Sequence, residues 1–262
     1  MRGFERQTAP SAVRAMPFVS FRPALPLITA AALAACAGGP PVPDWQVKSV
    51  AHASRYTQAY LLGNERVARR EFEQARQQAA STGQPEQVAR VELTRCALQA
   101  ASLDFAPCTG FEALREDAPP AEAAYADWLA GQASAAQAAL LPAAYRAIAA
   151  ANAAAPADAA AALKAIEDPA SRLIAAGVLM RSQRASPAVA ALAVETASAQ
   201  GWRRPLLAWL GVQQRLAQQN GQAEEAARLR RRMDLAAPLP AAAPKGQSAP
   251  DAPGAASAAK PL

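Results

Sequence analysis

Apolar residues between positions 44 and 81 recur at spacings of three and four, the period of an amphipathic helix. This pattern predicts one helix over 44–62 and a second over 65–81. Gly63-Asn64 separates them, and both residue types adopt turn conformations at little cost. We therefore expect a helical hairpin here. Its predicted core positions are Ala53, Tyr56, Tyr60, Ala68, Phe72, Ala75 and Ala79.

The rest of the chain to about Leu235 continues as apolar segments punctuated by Gly, Pro and Asn. Hydrophobic residues make up 52% of the chain and aromatic residues only 5%, and alanine supplies most of the difference. Alanine is the best helix former because it loses no side-chain rotamer freedom. The alternation typical of strands is absent from the sequence. These features predict an all-α domain over residues 44–235.

Part of this pattern resembles the tetratricopeptide repeat, a hairpin of two helices with small and bulky residues at fixed positions. The residues that carry the resemblance are Leu62-Gly63-Asn64, Ala68, Phe72 and Ala75, followed by Trp128, Gly131, Ala136, Leu140 and Ala143, and then by Gly221, Ala226 and Pro238. His52 and Tyr56 depart from the first half of the repeat. The resemblance implies a right-handed α-solenoid of stacked hairpins whose free surface binds partners. An irregular helical bundle is the alternative.

Residues 1–35 have the features of a secretion signal. A basic region ends at Arg22, and an apolar run follows from Leu25 to Ala35. This run is shorter than the roughly 20 residues that a membrane-spanning helix needs. Met16 is an alternative start that still leaves a compact signal.

Leu33-Ala34-Ala35-Cys36 resembles the lipobox of bacterial lipoproteins. The resemblance implies cleavage before Cys36, a diacylglycerol on its sulfur and an acylated amino terminus, which together hold a protein stably on a membrane. Ala37 and Gly38 follow, as in lipoproteins sorted to the outer membrane, and residues 36–43 form a tether. The alternatives are a chance cysteine after an ordinary signal, or a buried hydrophobic helix.

Cys96 and Cys108 remain after lipidation of Cys36, and both would lie in an oxidising compartment, where disulfides persist. Cys96 lies on a predicted helix face, and Cys108 lies in a predicted turn between Pro107 and Gly110. If the chain reverses there, a disulfide closes a small loop. Two free buried thiols are the alternative.

Charge and composition limit the possible partners. The formal net charge is +6, but the leader holds four arginines and one glutamate, so the mature chain keeps only a charge of +3. Nucleic-acid binding usually demands a concentrated basic face, so we expect no nucleic-acid partner. Residues 236–262 are rich in Pro, Ala, Gly and Ser, which predicts a disordered tail.

Candidate catalytic chemistry is sparse. His52 is the only histidine, so a histidine-rich metal site is excluded and a Ser-His-Asp triad would rest on that residue alone. We expect no metal, no cofactor and no catalytic residue. Glu65 and Arg69 stand four residues apart, which predicts a solvated ion pair. A glycosidase built from distant carboxylates stays open.

Two clusters are candidate partner-binding sites. Trp202, Arg203 and Arg204 stand together at a predicted helix junction, and tryptophan and arginine are favoured at interface hot spots. A buried tryptophan with solvated arginines is the alternative. Arg231 lies in an arginine cluster near the last helix end, where cations also complement the helix dipole.

Together these features predict a lipid-anchored envelope protein, on the periplasmic side of the outer membrane, whose helical scaffold binds another envelope protein. An envelope enzyme acting on cell-wall glycan and a structural lipoprotein that contacts the wall are the alternatives.

Overall fold

Helices form every regular element in the residues that the structure describes, 41–150 and 156–237. This computed structural model contains no strand in those two ranges, so the all-α prediction is confirmed there. The α-helices are α1 Asp44–Leu61, α2 Glu65–Ala80, α3 Pro85–Ala101, α4 Thr109–Glu112, α5 Pro120–Leu129, α6 Ala143–Ala150, α7 Pro156–Lys164, α8 Pro169–Arg181, α9 Pro187–Ala199, α10 Arg203–Gln219 and α11 Ala223–Ala236. Short 3₁₀ helices span Arg115–Asp117 and Ala135–Leu140.

Proline and capping residues fix where many of these helices begin. Helices α3, α5, α7, α8 and α9 each start at a proline, whose φ suits the first turn and whose missing N–H needs no partner there. The Asp168 carboxylate caps α8 by accepting from the Ser171 N–H at 2.7 Å. Ser186 caps α9 in the same way.

The first hairpin is the one that the periodicity predicts, with each helix ending one residue earlier than expected. Gly63 has a φ of +77°, a conformation that favours glycine. The Asn64 side chain accepts from the Val67 N–H and caps α2. Tyr56, Tyr60 and the small residues of α2 face the interior, while Phe72 is half-buried.

Helices α3 and α8 cross in the interior, although they lie far apart in the sequence. Gly177 of α8 faces the end of α3 so closely that an added Cβ would overlap the backbone of Ala100. Trp209 of α10 is fully buried beside the same end, and its indole N–H donates to the Ala101 carbonyl at 3.1 Å. This bond satisfies one of the carbonyls left without a partner at a helix end.

The repeat pattern holds only in part. Gly221 joins α10 to α11, and Ala226 is buried between them. After Gly131, however, a 3₁₀ helix ends before Pro142, so Ala136, Leu140 and Ala143 do not share one helix as the second repeat predicts. The residue before a proline is driven out of the helical region, and Leu141 has a ψ of 156°.

Some helices that lie far apart in the sequence are in contact. In stacked repeats, each unit contacts only its neighbours. Here α3 packs on α8, and α1 contacts α10. The coarse all-helical prediction is therefore confirmed in the described residues, whereas the stacking of hairpins into a solenoid stays a prediction.

Three predicted segments lie partly or wholly outside the described residues. They are the signal over 1–35, Cys36 with most of its tether, and the tail from Pro238 onward. Within the described helices, none combines the length and the apolar character that crossing a membrane requires.

Candidate binding groove

A groove of about 580 Å³ opens beside the α3–α8 crossing. Helices α1, α3, α5, α6 and α8 and the 3₁₀ helix before Pro142 contribute to it or border it. A volume of this size lies within the range of about 300–1,000 Å³ that is usual for binding sites. Its lining residues are Thr57, Arg90, Leu93, Thr94, Ala97, Leu98, Ala121, Glu122, Tyr125, Leu140, Leu141, Pro142, Arg146, Asp168, Ala170, Ser171 and Ile174.

Apolar side chains from the two crossing helices line the interior of the groove. Leu93 and Leu98 come from α3, and Ile174 comes from α8; all three are buried. Leu140 stands at the groove as well, with 46% of its surface exposed. Leu140 therefore offers exposed apolar surface to an occupant, above a floor of buried core side chains.

The charged groups of the groove are held by partners within the domain. Arg90 pairs with Glu122 at 2.8 Å, which links α3 to α5. The Arg146 guanidinium donates to the Leu141 carbonyl at 2.8 Å. Asp168 is the cap of α8. These bonds hold positive and negative groups at fixed positions around the groove. Charges held in this way can orient a bound partner.

An aromatic cluster supports one wall. Tyr125 lines the groove, and its ring stacks on Trp128 and Tyr145 with centroid distances of 5.8 Å to each. The rings of Trp128 and Tyr145 are closer, at 4.4 Å. Burial raises the pKa of the Tyr125 hydroxyl well above its usual value, and the pKa of Tyr145 also rises because of burial. Both phenols are therefore neutral at physiological pH, where they serve as hydrogen-bonding groups.

The groove holds two carboxylates, Glu122 and Asp168, and each is already bonded as described above. His52 lies outside it, on α1, where its Nδ1 is 2.7 Å from a Glu71 carboxylate oxygen. Within 41–150 and 156–237, no group of three or more His, Cys, Asp or Glu side chains is arranged to hold a metal ion. The arrangement supports binding through apolar contact and oriented charge.

The structure gives Trp202 and Arg204 roles inside the domain. Trp202 is only 7% exposed. The Arg204 guanidinium donates to the Tyr60 carbonyl at 2.9 Å, lies 4.2 Å from the Tyr60 ring centroid, and pairs with Glu65. Trp202 is thus mostly covered where the start of α10 packs against the first hairpin, whereas 30% of the Arg204 side chain stays exposed. Partner binding through these two residues stays a prediction.

Of the other two candidate residues, only Arg231 is readily accessible. Arg203 is half-buried, and Arg231 is exposed on α11. Partner binding at these two positions stays a prediction.

Cys96 and Cys108 form a disulfide, the pairing that the sequence predicts. Their Cα atoms are 5.8 Å apart, and the chain reverses after α3 to bring Cys108 back against that helix. Cys108 immediately precedes α4, whose Phe111 is fully buried. The disulfide therefore ties the connection between α3 and α4 to the core. Its Cys96 belongs to α3, the helix that also lines the groove.

Sequence reasoning missed the groove. Its walls come from helices whose mutual contacts no local pattern shows, and Arg90 and Glu122 are separated by 32 residues. One usable signal was present: Tyr125 and Trp128 stand three residues apart in a chain with few aromatic residues. That spacing places two rings on one helix face.

Comparison with known proteins adds no assignment. The chain matches no family model, no curated protein and no solved structure.

Proposed function

We propose that this chain is a lipid-anchored protein of the bacterial envelope that holds a protein partner in the groove beside the α3–α8 crossing. Acyl chains on Cys36 fix the domain at a membrane, and the domain faces the periplasm from the outer membrane. The lipobox-like sequence before Cys36 supports the anchor.

The observation that carries the binding proposal is the combination of apolar interior and pre-positioned charge in the groove. Leu140 supplies exposed apolar surface, above the buried side chains of Leu93 and Ile174. Arg90 and Glu122 keep each other in place. Apolar side chains of a partner gain by leaving water there. Oriented charges favour one direction of docking.

Two hairpins of the domain carry the resemblance to tetratricopeptide repeats. Hairpins α1–α2 and α10–α11 keep the glycine turn and the small buried residues of the repeat. In the proposed scaffold, these two hairpins support the helices that form the groove. Arg204 connects them through its contacts with Tyr60.

The test is photo-crosslinking in cells from a photoreactive residue placed at Leu140, in the groove. Leu235, which is 87% exposed on α11, provides the control position. We expect a discrete crosslinked protein from position 140 and none of the same size from position 235. Cys36→Ala should abolish the crosslink, because it releases the domain from the membrane where the partner lies.

A pair of matched variants tests the groove itself. Ala121 is exposed and lines the groove, whereas Ala227 is exposed on α11 away from it. Ala121→Arg should obstruct the groove and remove the crosslink, and Ala227→Arg should leave it intact. Equal crosslinking from both variants would show that the partner binds elsewhere.

A further inference from the structure

Three exposed valines lie just before and within the first turns of α1, close in the sequence to the predicted lipid attachment. Val42, Val47 and Val50 are 58%, 55% and 64% exposed. Large apolar side chains this exposed are uncommon among the described residues, and these three fall within nine positions of the chain. Single exposed apolar residues need no explanation, but a cluster marks a contact surface.

Val47 and Val50 lie one turn apart on the side of α1 that faces away from the core. The opposite side is defined by Ser49, which is buried and donates to the Ala75 carbonyl of α2 at 3.2 Å, and by buried Tyr56. The valines therefore contribute nothing to the hairpin. They remain available to an outside surface.

Chain length limits which surface they meet. Val42 is the sixth residue after Cys36. An extended chain spans at most about 3.6 Å per residue, so the two are at most roughly 20 Å apart. Val50 lies six residues into α1, about 9 Å further along the helix axis. A lipid on Cys36 would thus hold the valine face within a few tens of ångströms of the bilayer.

We propose that Val42, Val47 and Val50 form a phospholipid-contact surface beside the anchor. This inference rests on the lipid anchor of the proposed function. Lys48 stands between Val47 and Val50 in the sequence, and its side chain is 58% exposed. Its ammonium pairs with the exposed Asp44 carboxylate at 3.6 Å, a weak surface pair that an anionic headgroup can replace. Half-buried Trp45 stands at the same end of α1, and tryptophan is enriched at membrane interfaces. The contact fixes how the domain sits over the membrane.

The test uses the full mature lipidated chain in vesicles of phosphatidylethanolamine and phosphatidylglycerol. Cys36 carries the lipid and Cys96–Cys108 is a disulfide, so an introduced cysteine is the free thiol for an environment-sensitive dye. Labels are placed by Val47→Cys and Val50→Cys. Leu235→Cys is the control, an exposed apolar position at the other end of the described domain.

We expect iodide to quench the fluorescence of dyes at positions 47 and 50 less strongly on vesicles, because headgroups shield the dye. The reference is the unlipidated Cys36→Ala chain in detergent-free solution, and the expected difference is roughly two- to five-fold. Position 235 should not change. Equal iodide quenching at all three positions on vesicles would overturn the proposal.

Vesicle flotation separates this inference from the proposed function. If the wild-type chain floats with the vesicles but dyes at its valine positions stay accessible to iodide, the lipid anchor is supported and the phospholipid-contact surface is overturned. If the wild-type chain does not float, both the lipid anchor and the phospholipid-contact surface are overturned. As a second check, Val47→Ser with Val50→Ser should restore quenching of a dye at Val42→Cys, whereas the matched pair Leu62→Ser and Val67→Ser should not.

Discussion

The α1–α2 hairpin and the α3–α8 crossing bury apolar surface by different means. In the hairpin, two neighbouring helices each present one apolar face, and large aromatic side chains fill the space between them. At the crossing, α3 and α8 are buried over much of their circumference and approach through small residues. Gly177 permits the approach because it has no Cβ.

This difference separates what local sequence determines from what the whole fold determines. A hairpin joined by Gly63-Asn64 needs only its own periodicity and turn. The crossing joins helices that are distant in the sequence, and its stability depends on close backbone contact in the interior. Close-packed interiors tolerate added atoms poorly. Substitutions at the crossing should therefore cost more than substitutions in the hairpin.

The largest expected effect is at Gly177. Gly177→Ala places a methyl group on the Ala100 backbone, which must then shift, so we expect the free energy of unfolding to fall by about 3 kcal/mol. Urea unfolding followed by circular dichroism measures this change.

Gly211 of α10 provides the matched control. A Cβ there would meet only the end of the flexible Met233 side chain at 3.9 Å, an ordinary contact. Because alanine is the better helix former, Gly211→Ala should stabilise the domain by up to about 1 kcal/mol. A similar loss of stability in both variants would mean that the crossing is looser than described.

A smaller loss is expected from Trp209→Phe. The variant keeps an aromatic ring at a fully buried position but removes the indole N–H that donates to the Ala101 carbonyl. Leaving that buried carbonyl without a partner should cost about 2 kcal/mol. The same urea titration measures it, with Trp209→Ala expected to lose more because a cavity remains. A Phe variant as stable as the wild type would show that water satisfies the carbonyl.

The limits of sequence-based prediction follow the same division. The bounds of α1 and α2 were predictable to one residue because periodicity and turn chemistry are local. Glu65 was expected to pair with Arg69 on its own helix, yet it pairs with Arg204 of α10. An i,i+4 spacing shows which charges share a face, but it does not show which distant helix competes for them.

The groove escaped prediction for the same reason. Leu93, Leu98 and Ile174 are buried like ordinary core residues of α3 and α8, and only the arrangement of the neighbouring helices leaves a groove over them. The disulfide was predictable because Cys108 lies only 12 residues after Cys96, with turn residues between them. A short loop with turn residues makes a contact between its ends predictable. The sequence of an Ala-rich helix shows little about which other helix it packs against.

In the hairpin, Asn64→Ala should lower the free energy of unfolding by about 1 kcal/mol, because the cap of α2 is lost. Asn64→Ser is the control, since a serine oxygen also accepts from the first turn. Thermal unfolding of the two variants side by side gives the difference. If both variants match the wild type, the turn is held by Gly63 and the core alone.

The smallest effect concerns the ion pairs on the outside of the hairpin. Hydrogen bonds from Arg55 and then His52 lower the pKa of Glu71 below its ordinary 4.5. A lowered carboxyl pKa adds stability above pH 4.5, and this contribution is lost as the pH falls through the folded-state pKa. The Arg55 side chain is 53% exposed, so water weakens the pair and the contribution stays small.

Glu71→Gln should therefore flatten the loss of stability in acid while lowering stability slightly at neutral pH. Urea unfolding at a series of pH values from neutral to acid measures the slope. Glu73→Gln, which removes an exposed carboxylate from the same helix, controls for the change in net charge. Identical slopes for Glu71→Gln and the wild type would mean that solvent already screens the pair, and that the hairpin is held by its apolar face alone.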